Sequence, residues 1–220
     1  MKPLVIFDCD GVLVDTETIA NREMARWITD AGFPIPYEEC RARFVGKSMN
    51  SVRKDLLEAE NFDLGDDFVT RWQSSISEIF AKGVDAVAGV HDAIDQLRAA
   101  EYSLCVASSG RIDKMHFTLG SAGLLDDLKD VLFSSTMVKK GKPAPDLFLF
   151  AAKQMGFEPA NCIVIEDSGY GAMAAKAAGM KCLGYKGDPL TNQSFLEREN
   201  AILFDEMSEL PKLIVKHSTS

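Results

Sequence analysis

Three short apolar runs, each stopped at once by polar residues, constrain this chain more than any other feature. They are Leu4-Val5-Ile6-Phe7, Leu104-Cys105-Val106-Ala107 and Cys162-Ile163-Val164-Ile165. None alternates with polar residues, as a strand with one wet face would. Runs of this kind suit strands buried on both faces of a parallel sheet. Val131-Leu132-Phe133, Cys182-Leu183-Gly184 and Ala201-Ile202-Leu203-Phe204 are weaker strand signals.

Helical patterns separate the runs. Val90, Ala93, Ile94 and Leu97 fall at helical spacing; a second helix is expected over 145–155, with Pro145 in its first turn. A third starts at the cap residue Ser168 and stops at Gly179. Alternation of strand and helix after residue 86 predicts an α/β fold, with right-handed crossovers joining a Rossmann-like, three-layer parallel-sheet core. Residues 17–83 differ: helical patterns over 17–31, 37–44, 48–60 and 65–81 follow one another with no strand between them. The expected organisation is a core domain of residues 1–16 and 84–220, with an all-helical domain of residues 17–83 inserted.

Composition removes several functions. The chain carries 24 Lys+Arg against 33 Asp+Glu, a net charge of −9. So acidic a chain is a poor candidate for wrapping nucleic acid or lying on an anionic membrane. No apolar run approaches the roughly 18 residues of a membrane span, and the first residues are too briefly apolar for a signal peptide. The cysteines Cys9, Cys40, Cys105, Cys162 and Cys182 stand singly. Their odd number and the lack of C-x-x-C pairs argue against disulfides or a zinc site. A cytoplasmic location is expected. His91, His116 and His217 have no partners at metal or triad spacing.

In an open parallel sheet ligands bind beyond the carboxyl ends of the strands. The residues there are Asp8-Cys9-Asp10-Gly11, Ser108-Ser109-Gly110 and Glu166-Asp167-Ser168, with Gly141-Lys142-Pro143 between the last two strands. Residues i and i+2 at a strand end project to one side, so Asp8 and Asp10 can share a site. Four carboxylates cannot crowd together ionised without a cation. All-oxygen ligands imply a hard ion, and Mg2+ fits best when a substrate phosphate completes its shell. A carboxylate beside that ion can attack phosphorus. A second carboxylic acid can protonate the leaving oxygen, while Ser108 and Lys142 supply donors and positive charge. Asp8 and Asp10 alone could equally form a turn, but a calcium loop would need a helix before them and a later glycine.

Taken together, these segments resemble the haloacid dehalogenase superfamily. Asp8-Cys9-Asp10-Gly11-Val12-Leu13-Val14-Asp15-Thr16 is similar to its first motif, Ser108 to the second, Lys142 in Gly141-Lys142-Pro143 to the third and Glu166-Asp167-Ser168 to the fourth. The helical insert resembles the cap of the subgroup holding β-phosphoglucomutase and sugar-phosphate phosphatases, including the 6-phosphogluconate phosphatase branch. The resemblance implies that Asp8 is nucleophile and metal ligand. It makes Asp10 the acid/base, its backbone carbonyl on the metal. Asp167 would be a direct metal ligand, with Glu166 direct or through water. Ser108 and the N–H groups of Gly11 and Ser109 would hold phosphoryl oxygens, and Lys142 would bridge Asp8 and the phosphate. It further implies specificity from the cap, where Lys47 in Gly46-Lys47-Ser48 is the leading substrate contact; Arg111 and Lys114, just after Ser108 in the core, are weaker candidates for the same role.

The expected function is Mg2+-dependent hydrolysis of a small phosphorylated metabolite, a sugar or sugar-acid phosphate, through an aspartyl-phosphate, by a monomer or weak homodimer. The alternative is a β-phosphoglucomutase-type isomerase. Such mutases carry a cap-side His and an Arg where this chain has Ala20 and Met49. Carbon–halogen hydrolysis is disfavoured by Asp10 and the Glu166-Asp167 pair. A receiver module would place its acidic pair before the phosphorylated Asp.

Overall fold

The structure, a computed structural model, describes residues 2–44, 47–80 and 83–218, with backbone alone at Ile76, Ser77 and Phe80. Two compact units emerge, Met1–Asp15 with Asp85–Ser220, and Thr16–Val84.

In the first unit, six parallel strands form one sheet. They are β1 (Leu4–Phe7), β2 (Ser103–Ser108), β3 (Leu132–Ser134), β4 (Cys162–Glu166), β5 (Lys181–Tyr185) and β6 (Ile202–Phe204). Their spatial order is β3-β2-β1-β4-β5-β6, the doubly wound arrangement whose switch point falls between β1 and β4. The three strong apolar runs are β1, β2 and β4, the centre of this sheet. All four residues of β1 are fully buried, as their unbroken hydrophobicity requires. The weaker signals became the outer strands β3, β5 and β6, and the two edge strands β3 and β6 are only three residues long.

Helices cover both faces. In the first unit these are α5 (Val90–Ala99), α6 (Ile112–Ser121), α7 (Leu125–Leu128), α8 (Asp146–Met155), α9 (Gly169–Ala177), α10 (Gln193–Arg198) and α11 (Leu210–Ser218), numbered after the four of the second unit. Leu4, Ile6, Cys105, Ala107, Cys162, Val164 and Cys182 on one face pack with Phe148 and Ala151 of α8 and Ala172 and Ala175 of α9. The alternate residues Val5, Phe7, Val106 and Ile165 are equally buried on the other.

The second unit is all-helical: α1 (Thr16–Asp30), α2 (Tyr37–Phe44), α3 (Met49–Glu60) and α4 (Phe68–Phe80). Its own core joins Met24, Ile28, Cys40, Phe44, Val52, Leu56, Phe68 and Trp72. The Trp27 ring meets Phe68 and Trp72 edge-on at 5.9 and 5.5 Å. The helix expected from Gly65 starts instead at Phe68. Gly65 adopts a left-handed φ of 88°, and its N–H donates to Asp63 Oδ1, so those residues form a turn. Among the described residues, no helix is long and apolar enough to cross a membrane.

Candidate active site

Register brings the polar strand ends together. Phe7 pairs with Val106 on one side and Ile165 on the other, and the Asp8 N–H donates to the Ile165 carbonyl at 2.9 Å. Asp8 therefore leaves the sheet at the switch point, beside Glu166, the last residue of β4. Ser108 closes β2. All three are buried.

Lys142, in the segment leading to α8, ties this end of the sheet together. Its Nζ donates to Asp8 Oδ1 at 2.5 Å and Glu166 Oε1 at 2.6 Å and lies 4.8 Å from the centre of the Phe148 ring. The other Glu166 oxygen accepts from the Ser168 N–H and Oγ at 2.9 and 2.8 Å. Ser168 in turn caps α9, its Oγ accepting from the Gly171 N–H at 3.0 Å. A Cβ on Gly171 would lie 1.8 Å from Glu166 Oε1, so only glycine lets the helix start this close to that carboxylate. Both Glu166 oxygens are thus engaged by the protein.

Asp8, Glu166 and Asp167 each present a carboxylate oxygen within 4.8 Å of the others. Against three carboxylates stands one ammonium, Lys142, leaving two formal negative charges without compensation. The electrostatics register this. Burial, above all, pushes the Asp8 carboxyl up to about 7 against the pull of Lys142, with Glu166 and Asp10 adding to the rise. Burial and the neighbouring Glu166 and Asp8 hold Asp167 well above the usual carboxylate range. Burial alone would lower the Lys142 pKa, but Asp8 and Glu166 outweigh it and keep the ammonium protonated. An all-oxygen, doubly negative cluster fits one hard divalent cation.

Asp10 is held differently. Lys114, in the first turn of α6, donates to its Oδ1 and Oδ2 at 2.8 Å each. Lys114 stood among the specificity candidates, and nothing in the amino-acid sequence signals this pairing. Ser108 Oγ accepts from the Gly110 N–H at 3.0 Å, leaving its hydroxyl hydrogen to donate. Ser135 and Ser134 donate their hydroxyls to the carbonyls of Ser109 and Gly110, at 2.7 Å each, and brace the loop after β2.

Two residues expected to contact substrate have partners within the protein here. The Gly11 N–H, expected on a phosphoryl oxygen, donates to the Val14 carbonyl at 2.9 Å, because residues 9–14 fold back into a tight turn. What Gly11 provides is space: it has φ 82°, and a Cβ there would lie 2.1 Å from Asp167 Oδ2. Lys47, expected to contact substrate, pairs with Asp55 within the helical unit and lies 5.7 Å from the Phe44 ring centre. An exposed ammonium finds a carboxylate two turns along the chain. Gly46 beside it lies outside the described residues. Arg111 pairs with Asp113 at 3.0 Å, where both line a cavity of about 610 Å³ with Ile112, His116 and Thr136.

The carboxylate cluster thus sits at the switch point of a parallel sheet, with a buried lysine bonded across it. Residues 2–179 match the family of haloacid dehalogenase-like hydrolases, and the chain belongs to it. It is similar to the 6-phosphogluconate phosphatase of Escherichia coli, 29% identical over 210 residues covering 95% of this chain and 93% of that one. Hexitol phosphatase A of Escherichia coli is 29% identical over 175 residues, 79% of this chain and 78% of the relative. A HAD family hydrolase from Deinococcus radiodurans, solved with bound phosphate and sodium, superposes with a TM-score of 0.88 at 29% identity, covering 98% and 97% of the two chains.

Proposed function

We propose that this hydrolase is a magnesium-dependent phosphatase that cleaves a small sugar or sugar-acid phosphate through an aspartyl-phosphate on Asp8, in the cytoplasm, as a monomer or weak homodimer. The observation that carries the reading is Lys142, whose one buried ammonium bonds Asp8 and Glu166 within a carboxylate cluster whose formal charge it does not cancel. Asp8, Asp167 and the Asp10 carbonyl would hold the ion, with Glu166 joining them directly or through water. Bound magnesium would supply the missing positive charge and polarise the phosphoryl oxygens.

In the first step, a carboxylate oxygen of Asp8 attacks phosphorus. The ester P–O bond breaks, and its electron pair stays with the leaving oxygen, which takes the proton of the Asp10 carboxyl. Lys142 and Ser108 donate to the oxygens on which charge builds. In the second step, Asp10, now a carboxylate, takes a proton from water as that water attacks phosphorus. The acyl-phosphate bond breaks, restoring Asp8 and releasing inorganic phosphate. The helical unit, as a cap, would select the organic part of the substrate. The similarity to phosphatases of 6-phosphogluconate and hexitol phosphates supports this substrate class.

Asp8→Asn tests the reading. Phosphate release from p-nitrophenyl phosphate and from a panel of sugar phosphates should vanish. Residual turnover at wild-type rates would remove Asp8 as nucleophile.

A further inference from the structure

The peptide beside Ser108 is held from behind by a side chain that the reaction above does not use. The Ser135 hydroxyl donates to the Ser109 carbonyl at 2.7 Å. That carbonyl shares its peptide with the Gly110 N–H, which donates to Ser108 Oγ at 3.0 Å. Ser135 therefore reaches Ser108 through one planar unit, in which fixing the C=O also fixes the direction of the N–H. Ser134, one residue earlier, acts elsewhere. Its buried hydroxyl donates to the Gly110 carbonyl at 2.7 Å, and the N–H of that peptide belongs to Arg111. Ser134 Oγ also accepts from the Thr136 N–H at 3.1 Å, which ties down the short turn Ser135–Met137 that carries Ser135. The same turn lies against the segment of Lys142: a Cβ on Gly141 would sit 3.2 Å from the Ser135 Cβ.

Ser108 is buried, and a hydroxyl has one hydrogen to give and two positions at which to accept. With the Gly110 N–H at one of those positions, the Ser108 hydrogen cannot turn that way and is confined to the other directions. A donor set in advance toward the oxygen on which charge builds costs no reorganisation during the reaction. We infer that Ser135 is a positioning residue for Ser108: it holds the 109–110 peptide in the orientation that keeps the Ser108 hydrogen for a phosphoryl oxygen. The inference rests on the phosphatase reading and deepens it.

A double-mutant cycle separates this role from bracing of the loop in general. Ser108→Ala should lower kcat/KM for p-nitrophenyl phosphate by ~10²-fold, the scale for one preorganised donor, and leave a measurable remainder. Ser135→Ala alone should lower it by about tenfold. Added to Ser108→Ala, the same change should cost less than about twofold, because no hydroxyl is left to aim. A Ser135→Ala loss of equal size in both backgrounds would overturn the inference, since a loosened loop or a less stable protein costs the same whether or not the Ser108 hydroxyl is present. Full activity in either single variant would overturn it as well. Each of these results leaves the phosphatase intact. A wild-type protein that releases no phosphate from p-nitrophenyl phosphate or from any sugar phosphate would remove the phosphatase reading and the inference with it.

Discussion

Asp167 leaves no room for a side chain at Gly11. A Cβ built on that glycine would lie 2.1 Å from Asp167 Oδ2 and 2.8 Å from its carboxyl carbon. A left-handed backbone costs a non-glycine residue about 1–2 kcal/mol, which a folded protein of this size can absorb. Moving Asp167 out of the carboxylate cluster is the larger consequence. Gly11→Ala is therefore expected to fold, by circular dichroism, yet lose phosphatase activity by two orders of magnitude or more, ~10²-fold being the scale for small misplacements of a catalytic group.

Lys142→Ala should damage both activity and stability. It leaves the buried Asp8 and Glu166 facing each other without the ammonium between them. Breaking a buried pair from one side costs about 3–5 kcal/mol, readable as a lower urea midpoint. Added magnesium should recover part of that loss, because it replaces the same positive charge. A midpoint unchanged from wild type would contradict the role given to Lys142.

Magnesium itself should raise the melting temperature of the wild-type protein with concentration, as any ligand selective for the native state does: about 2.7 kcal/mol at a hundredfold excess over Kd. EDTA should abolish phosphate release. Asp167→Asn should remove most of the magnesium-dependent shift while leaving the metal-free protein folded, because it takes one charge out of the cluster without changing its volume. Differential scanning fluorimetry across a magnesium series measures both effects.

All five cysteines are buried and free, and their thiols should be inert. Burial above all pushes Cys40 and Cys162 up to about 11 and Cys9, Cys105 and Cys182 higher still. At pH 8 a thiol of that kind is ~0.1% thiolate, and only the thiolate reacts. Titration with a disulfide reagent should find fewer than one fast thiol in the native protein and five after denaturation.

The central strands were legible because a strand buried on both faces has no choice but to be apolar throughout, and their polar ends were legible as interruptions of those runs. The Ser168 cap was legible too, since a short-range bond to Gly171 depends on spacing alone. The Lys114–Asp10 pair was not. Periodicity assigns Lys114 to a helix, but which residue it meets across 104 positions depends on where α6 leaves the sheet. The Gly11–Val14 bond was not legible for a related reason: the motif marks a turn, but the partner inside that turn becomes visible only when the backbone is traced. Lys47 is a further case of a partner the sequence did not show. Its position at a helix junction carried the expectation, and Asp55, within reach of a flexible side chain, answers its charge locally.

The placement of β1 at the centre of the sheet has a consequence for biosynthesis. Leu4 pairs with Ser103 on one side and Cys162 on the other, so the strand made first needs a partner made 158 positions later. At ~5–20 residues per second on the ribosome, that interval is about eight to thirty seconds. Throughout it, an all-apolar strand waits with at least one edge open, the condition in which chains mispair or aggregate. Nascent chains arrested before β4 should accordingly depend on chaperones to stay soluble, and that dependence should fall sharply once residue 166 has cleared the exit tunnel.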